Sequence, residues 1–384
     1  MKTNLPKRSN IRIGLVAPHI FLHRDILPQV IFSPGQLAID LADGLQTLGA
    51  DVTLFSPGPV ATTARNITAD LSLFEQELAG RGDSYIDLLK KHPFTFVTLA
   101  RQVQAEMIAK AYAMANAGEL DVVHMYTNEE DTALPFAGLC TKPVVFTHHD
   151  PFNFLVKYKN VFPKYKHLNW VSMSLAQRAG MPADTNWVAN IYHGIAEERF
   201  TPSNNPTADY IAYLGRIIQP KGLHLAIAAA KKAGLPFKIA GKHYTGHKDT
   251  YWQERIVPEL GGDIEYVGFI KGDAEKQAFL GNAAAVVVPS LFDEPFGMVS
   301  IEALACGTPV IGLDSGATPE IITHGENGLI VKKADEPTMV ANLALAMRDA
   351  GKLDRAAARA SFEARFTLWR MCAEHLAMYK TLTK

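Results

Sequence analysis

Asp293-Glu294-Pro295-Phe296-Gly297-Met298-Val299-Ser300-Ile301-Glu302-Ala303-Leu304-Ala305-Cys306-Gly307-Thr308-Pro309-Val310 carries the clearest structural signal in the chain. The apolar run 284–289 before it is short and continuous, as a parallel strand buried on both faces requires. Gly297 breaks the chain and opens a helix whose first amides are left unpaired. Gly307 falls where a C-cap glycine belongs, with Pro309 just beyond it. Residues 310–313 read as the next strand. Strand, loop, helix, strand is the repeat of an α/β protein with parallel sheets. Glu294 precedes the helix N-terminus and Glu302, eight positions on, lies inside the helix. Between them free N–H groups and a positive dipole end form a natural seat for phosphate.

A second stretch carries complementary charge. Tyr213-Leu214-Gly215-Arg216-Ile217-Ile218-Gln219-Pro220-Lys221-Gly222 follows an expected strand and precedes an alanine-rich helix. Arg216 can grip phosphate as a bidentate fork, and Lys221 adds a point charge. A pair of cations at such a loop suits an anionic leaving group whose charge grows in the transition state. Taken alone, the pair is equally compatible with two solvated side chains on a loop.

Together the two stretches resemble the donor-site signature of retaining glycosyltransferases of family 4, which have the GT-B fold. Glu-Pro-Phe-Gly followed by Ile-Glu-Ala-Leu-Ala-Cys-Gly-Thr-Pro-Val matches the family's two spaced glutamates, and Gly215-Arg216 with Lys221-Gly222 matches its Gly-Arg…Lys-Gly element. The layout covers nearly the whole chain. The match is sharp only between Tyr213 and Gly328, where Gly325-Glu326-Asn327-Gly328 is similar to the family's turn before a strand. The resemblance implies two Rossmann-like domains facing a central cleft, with a C-terminal helix crossing back to brace the N-terminal domain. Trp369, Met378 and Tyr379 suit that packing.

The resemblance also implies a set of roles. Gly215, Arg216, Lys221, Glu294, Phe296, Gly297, Met298, Val299 and Glu302 bind the donor. Arg216 and Lys221 hold its diphosphate, Glu294 its sugar hydroxyls, and Glu302 its ribose. Glu294, Arg216, Lys221 and His149 form the catalytic set, and Phe269 and Ile270 lie near the base. No cofactor and no metal are expected, because basic side chains and a helix dipole replace the metal and the nucleotide sugar is a substrate. UDP is the commonest donor nucleotide of the family, with GDP and ADP left open. The reaction is expected to be a hexosyl transfer.

The N-terminal half departs from the pattern. Only Gly35, expected just before a helix, stands where the family has a Gly-Gly loop; the plain alternative is a turn glycine. Asp121-Val122-Val123-His124-Met125-Tyr126 resembles a strand ending in His-x-His, but Tyr126 replaces the second histidine and does not titrate near neutral pH. His124 reads equally as a satisfied core residue. His148 and His149 close the next strand, where open α/β sheets bind ligands. His149, nearer the loop, is ranked first. Gly35, His124, Tyr126 and His148 are thus the phosphate- or acceptor-side candidates.

The whole chain sets bounds on this reading. It has 384 residues, 48% hydrophobic and 20% charged, which suits two packed domains. They are expected at 1–196 and 208–365, with a Pro-rich linker at 197–207 and a bracing helix at 366–384. The strands read from sequence are 11–17, 51–55, 121–125, 143–147, 169–172, 187–190, 211–214 and 237–240. Helices are expected at 36–48, 94–117, 174–179, 223–233, 337–350 and 355–383. The formal net charge of −1 argues against a general nucleic-acid binder. Cys140, Cys306 and Cys372 give neither a disulfide framework nor a zinc spacing, which fits a reducing cytoplasm. Met1 to Asn10 is polar and basic, with no signal-peptide core after it. No stretch is apolar enough to span a membrane. Peripheral contact through the aromatic and lysine-rich 152–170 segment is left open, with a solvated face as the plainer reading.

The expected function is therefore sugar transfer from a nucleoside diphosphate sugar to an unidentified acceptor: a glycan, a lipid-linked or a small molecule. The alternatives are a nucleotide-sugar epimerase or phosphorylase of the same fold, and a non-catalytic nucleotide-sugar-binding protein. A dinucleotide oxidoreductase is disfavoured, since neither Ala17-Pro18-His19-Ile20 nor Gly215-Arg216-Ile217 continues as Gly-x-Gly-x-x-Gly.

Overall fold

The structure is a computed structural model describing residues 11–30, 32–127, 130–203, 205–243 and 250–384. The basic opening Met1 to Asn10, and Asn204 of the expected linker, lie outside the described residues. The chain divides into two compact units. The first runs to Met173 and adds Arg178–Ile191 and Leu368–Lys384; the second is Ser174–Gln177 with Tyr192–Thr367.

In the first unit the elements follow as β1 (Arg12–Val16), α1 (Ser33–Thr47), β2 (Asp51–Ser56), β3 (Arg65–Thr68), α2 (Ser72–Arg81), α3 (Tyr85–Lys91) and α4 (Pro93–Asn116). They continue as β4 (Val122–Met125), α5 (Glu130–Ala133), β5 (Val144–Thr147), α6 (Val156–Val161), β6 (Asn169–Ser172) and β7 (Trp187–Asn190). The seven strands are parallel, in the order β3-β2-β1-β4-β5-β6-β7. Every residue of β4 and β5 is buried, as a sheet covered on both faces demands. On one face α4 sets Ile108, Ala111, Tyr112 and Ala115 against Val123, Phe146 and Trp170.

The second unit repeats the plan with β8 (Ile211–Leu214), α7 (Leu223–Ala233), β9 (Phe237–Ala240), β10 (Ile264–Gly268), α8 (Asp273–Gly281) and β11 (Ala285–Val288). It goes on through α9 (Met298–Ala305), β12 (Val310–Leu313), α10 (Thr318–Ile321), β13 (Gly328–Val331), α11 (Glu336–Asp349) and α12 (Arg355–Arg365). Its parallel order is β10-β9-β8-β11-β12-β13. Strand order reverses between β8 and β11 here, and between β1 and β4 in the first unit. Open α/β sheets bind ligands at the carboxyl ends of such a pair.

The final helix α13 (Leu368–Leu382) belongs to the first unit and packs on α1. Met371, Cys372, His375, Leu376, Met378 and Tyr379 are its buried members. A Cβ at Gly44 of α1 would overlap the Cys372 sulfur, so glycine is what lets these helices approach. Trp369 does not join the packing and is 66% exposed, because it lies on the outer side of the first turn.

The long helix α4 runs over 24 residues, within one residue of the expected bounds. Two expected elements need correction. Residues 174–179 do not form an α-helix but precede and enter a five-residue 3-10 turn, Ala176–Gly180. The terminal stretch 355–383 splits into α12 and α13 around Phe366 and Thr367. Among the described residues no helix is long and apolar enough to cross a membrane.

Candidate functional site

The two loops singled out in the sequence leave adjacent strands of the second unit. Gly215 to Gly222 follows β8, the loop 289–297 follows β11, and the two strands pair directly. The loops are stitched together. The amide of Leu291 donates to the Pro220 carbonyl at 2.8 Å. Gly222 holds a left-handed φ of 67°, and a Cβ there would overlap the Pro289 carbonyl oxygen. Glycine at 222 is therefore a requirement of both torsion and space.

This stitching sets Lys221 against Glu294. The ammonium lies 2.8 Å from the carboxylate Oε1, and the two side chains are 19% and 12% exposed. The Ser290 hydroxyl donates to the same oxygen. The Lys221 ammonium also sits 5.1 Å above the Phe292 ring. Among the described residues Oε2 of Glu294 accepts no hydrogen bond.

The backbone of Glu294 is clamped from the far side by the turn after β12. Ala317 donates to the Glu294 carbonyl at 2.9 Å. A Cβ at Gly316, φ 52°, would stand 2.5 Å from both the nitrogen and the oxygen of Glu294. The Ser315 hydroxyl bonds Asp293 Oδ1 at 2.7 Å and is the first cause of that carboxyl's depressed pKa, opposed by its partial burial; Lys333 and the Gly316 amide push it further down.

Arg216 is exposed and forms no ion pair among the described residues. Its carbonyl accepts from the Tyr213 hydroxyl at 2.8 Å. Burial raises the Tyr213 pKa well above normal, with Tyr251 and Glu294 adding and Arg216 opposing. One buried hydroxyl thus senses Glu294 and Arg216 together.

Helix α9 opens at Met298 with no side-chain cap, Gly297 at φ 109° serving as N-cap. Phe296 is buried rather than turned to a ligand. Its ring packs against His193 at 5.0 Å and Phe366 at 6.1 Å, so only its backbone can serve a bound group. Glu302 is 8% exposed and its Oε1 takes the Lys276 ammonium at 2.8 Å. Glu302 and Glu294 thus pair with different lysines. Phe269 and Ile270 follow β10, two strands from β8, with the Lys242 ammonium 5.0 Å over the Phe269 ring.

In the first unit the acceptor-side candidates spread out. His124 is wholly buried; its Nδ1 meets the Tyr379 hydroxyl at 2.6 Å and its Nε2 the Thr147 hydroxyl at 2.8 Å. Burial, then His375, hold its pKa well below normal. It is a core residue, corrected from the ligand side. Tyr126 is wholly buried too, and its phenol, pushed up by burial, makes no hydrogen bond among the described residues. His148 is sealed among Phe152, Tyr158 and Phe162 at 4.3–5.1 Å, its pKa lowered to about 3 by burial and then by Lys157. His149 alone of the pair is half-buried, with its ring 4.8 Å from Tyr126. Gly35 lies inside the first turn of α1, not before the helix, and a Cβ there would press on Phe32 at 2.9 Å and Leu22 at 3.0 Å.

Several residues of this geometry escaped sequence reading: Ser290, Gly316 and His193. Gly316 in Asp314-Ser315-Gly316 carried a turn signal that could have marked it. His193 is defined by the Phe296 ring, far away in sequence, whereas Ser290 meets Glu294 four residues on, inside an irregular loop that has no period to read. Among the described residues no group of three His, Cys, Asp or Glu side chains is placed to hold a metal ion.

Comparison with known proteins falls on the same segment. The family described as glycosyl transferases group 1 matches residues 194–362. An uncharacterised glycosyltransferase of Methanocaldococcus jannaschii is 35% identical over 127 residues, which span 32% of this chain and 31% of that protein. Phosphatidyl-myo-inositol mannosyltransferase of Propionibacterium freudenreichii subsp. shermanii is 26% identical over 83% of this chain and 81% of its own length. Anabaena HepE, solved with UDP and glucose, superposes with a TM-score of 0.68 at 16% identity, covering 97% of this chain and all (100%) of that one; this likeness shows the fold alone. The matched segment and the near full-length likeness support an enzyme of the glycosyltransferase class.

Proposed function

We propose that the protein transfers a hexosyl group from a nucleoside diphosphate sugar, a UDP-sugar first among the donors to test, with retention of anomeric configuration. The observation that carries this reading is the convergence of Lys221, Glu294 and the uncapped start of α9 on two adjoining strand ends. Lys221 and the exposed Arg216 hold the diphosphate and meet the charge that grows on it as the sugar leaves. Amides of residues 296–299 orient phosphate and sugar at the positive helix end. Glu294 binds sugar hydroxyls, Glu302 the ribose, and the 269–270 loop lies by the base. His149 is the titratable group proposed for the acceptor side. The leaving phosphate itself takes the acceptor proton, and no bound metal is used.

HepE, solved with UDP and glucose, motivates UDP as the first nucleotide to test. The named mannosyltransferase relative puts GDP-mannose on the same panel. The test is thermal stability of the purified protein against UDP, GDP and ADP, their sugar conjugates, and NAD. A ligand at about one hundred times its Kd adds about 2.7 kcal/mol. A shift with one nucleotide class, lost in Arg216→Ala, supports the reading. A shift with NAD alone, or none with any nucleotide sugar at millimolar concentration, overturns it.

A further inference from the structure

We propose that Ser290 is a positioning residue for Glu294, fixing which carboxylate oxygen meets the donor and keeping Lys221 available for phosphate. The inference rests on the donor-site reading above. Ser290 lies in the loop two residues beyond the end of β11 and is only 3% exposed. Among the described residues its hydroxyl makes a single hydrogen bond, to Oε1 of Glu294. Lys221 reaches that same oxygen at 2.8 Å. Two donors therefore converge on Oε1, while Oε2 stands near Gly297 at the start of α9, 4.0 Å from where a Cβ of that glycine would lie.

The torsion that turns a carboxylate about its last bond is soft, with broad minima. A lone ammonium does not define it, because a lysine can follow either oxygen. A hydroxyl rooted just beyond a strand end does define it. With Ser290 in place, Oε1 belongs to the protein and Oε2 is turned toward the helix start, where the donor sugar is placed. Without Ser290 the carboxylate rotates to offer both oxygens to Lys221, which draws the ammonium away from the diphosphate and unaligns the acid. The clamp by Gly316 and Ala317 holds the Glu294 main chain, so the direction of the carboxylate is left to its side-chain torsions.

The test compares wild type, Ser290→Ala, Ser290→Cys, Ser290→Thr and Glu294→Gln. Hydrolysis of UDP-glucose, UDP-galactose, UDP-N-acetylglucosamine, GDP-mannose and ADP-glucose is measured, with UDP, GDP and ADP binding by calorimetry and Tm by scanning calorimetry. Loss of one hydrogen bond to a charged group predicts a fall in kcat of about ten- to a hundred-fold in Ser290→Ala. Ser290→Cys, similar in size but a poor donor, should match it, and Ser290→Thr should recover most of the rate. Nucleotide affinity should stay within about twofold and Tm should hold. Wild-type kcat in Ser290→Ala beside an inactive Glu294→Gln overturns the positioning role and leaves the donor-site reading standing. An equal fall of kcat, nucleotide affinity and Tm reduces Ser290 to a packing residue and also overturns it. If wild type turns over none of the donors and binds none of the nucleotides, the donor-site reading falls and this proposal with it.

Discussion

Lys221 points its ammonium at Glu294, 2.8 Å from Oε1, although the two loops that carry them are separated by the helices α7 and α8 and by three strands in sequence. One cation is thus shared between a carboxylate of the fold and the phosphate it is proposed to receive. Glu294→Gln removes the competing charge and keeps the shape. Turnover should drop by about two to three orders of magnitude, the size of effect seen when a group acting mainly in the transition state is lost. Nucleotide affinity should be unchanged or slightly tighter, since Lys221 is released. Calorimetric titration beside steady-state rates checks both; a parallel loss of affinity would show that Glu294 holds the nucleotide rather than the sugar.

Arg216 has no partner of its own among the described residues. Its removal should cost the free fold little and the bound state much. Arg216→Ala is expected to weaken binding of the cognate nucleotide diphosphate by about tenfold or more, with Tm of the free protein unchanged. Arg216→Lys should recover only part, because an ammonium cannot form the planar fork. Full recovery by lysine would mean that charge alone matters there.

Gly222 and Gly234 bracket α7 with nearly equal torsions, φ 67° and 70°. Only Gly222 is also crowded, by the Pro289 carbonyl, whereas nothing stands within 4 Å of a Cβ at Gly234. Gly234→Ala should therefore cost about 1 kcal/mol from torsion alone. Gly222→Ala should cost about 3 kcal/mol or more and loosen Lys221, since the two loops would have to part. Calorimetric Tm values for the two variants decide it; equal shifts would remove the crowding argument.

Acid should unfold the first unit through its histidines. His148 is held to about 3 and His375 to about 4, each by burial first, and His124 is pushed well down by the same cause. Each stays neutral in the fold and takes a proton near pH 6.5 once unfolded. Between about pH 6.5 and 4 the unfolded chain therefore binds more protons, so stability falls as pH falls through that window. The slope per histidine is about 1.4 kcal/mol per pH unit. His148→Phe, seated among Phe152, Tyr158 and Phe162, should flatten the denaturant-measured stability profile by that amount. An unchanged slope would show that His148 is protonated in the folded state.

The second unit was the legible half. Residues 284–289 proved to be β11 and 310–313 β12, with α9 opening just after Gly297, because apolar runs, a glycine and a proline mark those boundaries locally. The first unit was harder to read for a physical reason. His124 sits in a motif-like pattern, yet its two ring nitrogens are taken by Thr147 and by Tyr379, the latter 255 positions away. Nothing near His124 in sequence announces a hydroxyl from the final helix. Gly35 was expected just before a helix, whereas the helix has already begun two residues earlier, and the glycine answers to Phe32 and Leu22. Trp369 was expected to pack on the strength of the family resemblance, but helix phase turns it outward. Ser290 stands only four residues before Glu294, but the loop between them has no helical or strand period, so the local sequence does not say that its hydroxyl turns back to that carboxylate.

Helix α13 fills the core of the first unit with His375 and Tyr379. On the ribosome this reverses the order of completion. Residues 11–191 are synthesised first, yet their sheet lacks the partner of His124 until residue 379 has left the exit tunnel. By then the whole second unit has been made and can already have folded. The half begun first is thus finished last, and throughout elongation it presents an apolar face beside α1 that has nothing of its own to cover it. Nascent chains of this protein should accordingly be clients of chaperones until the last helix is released.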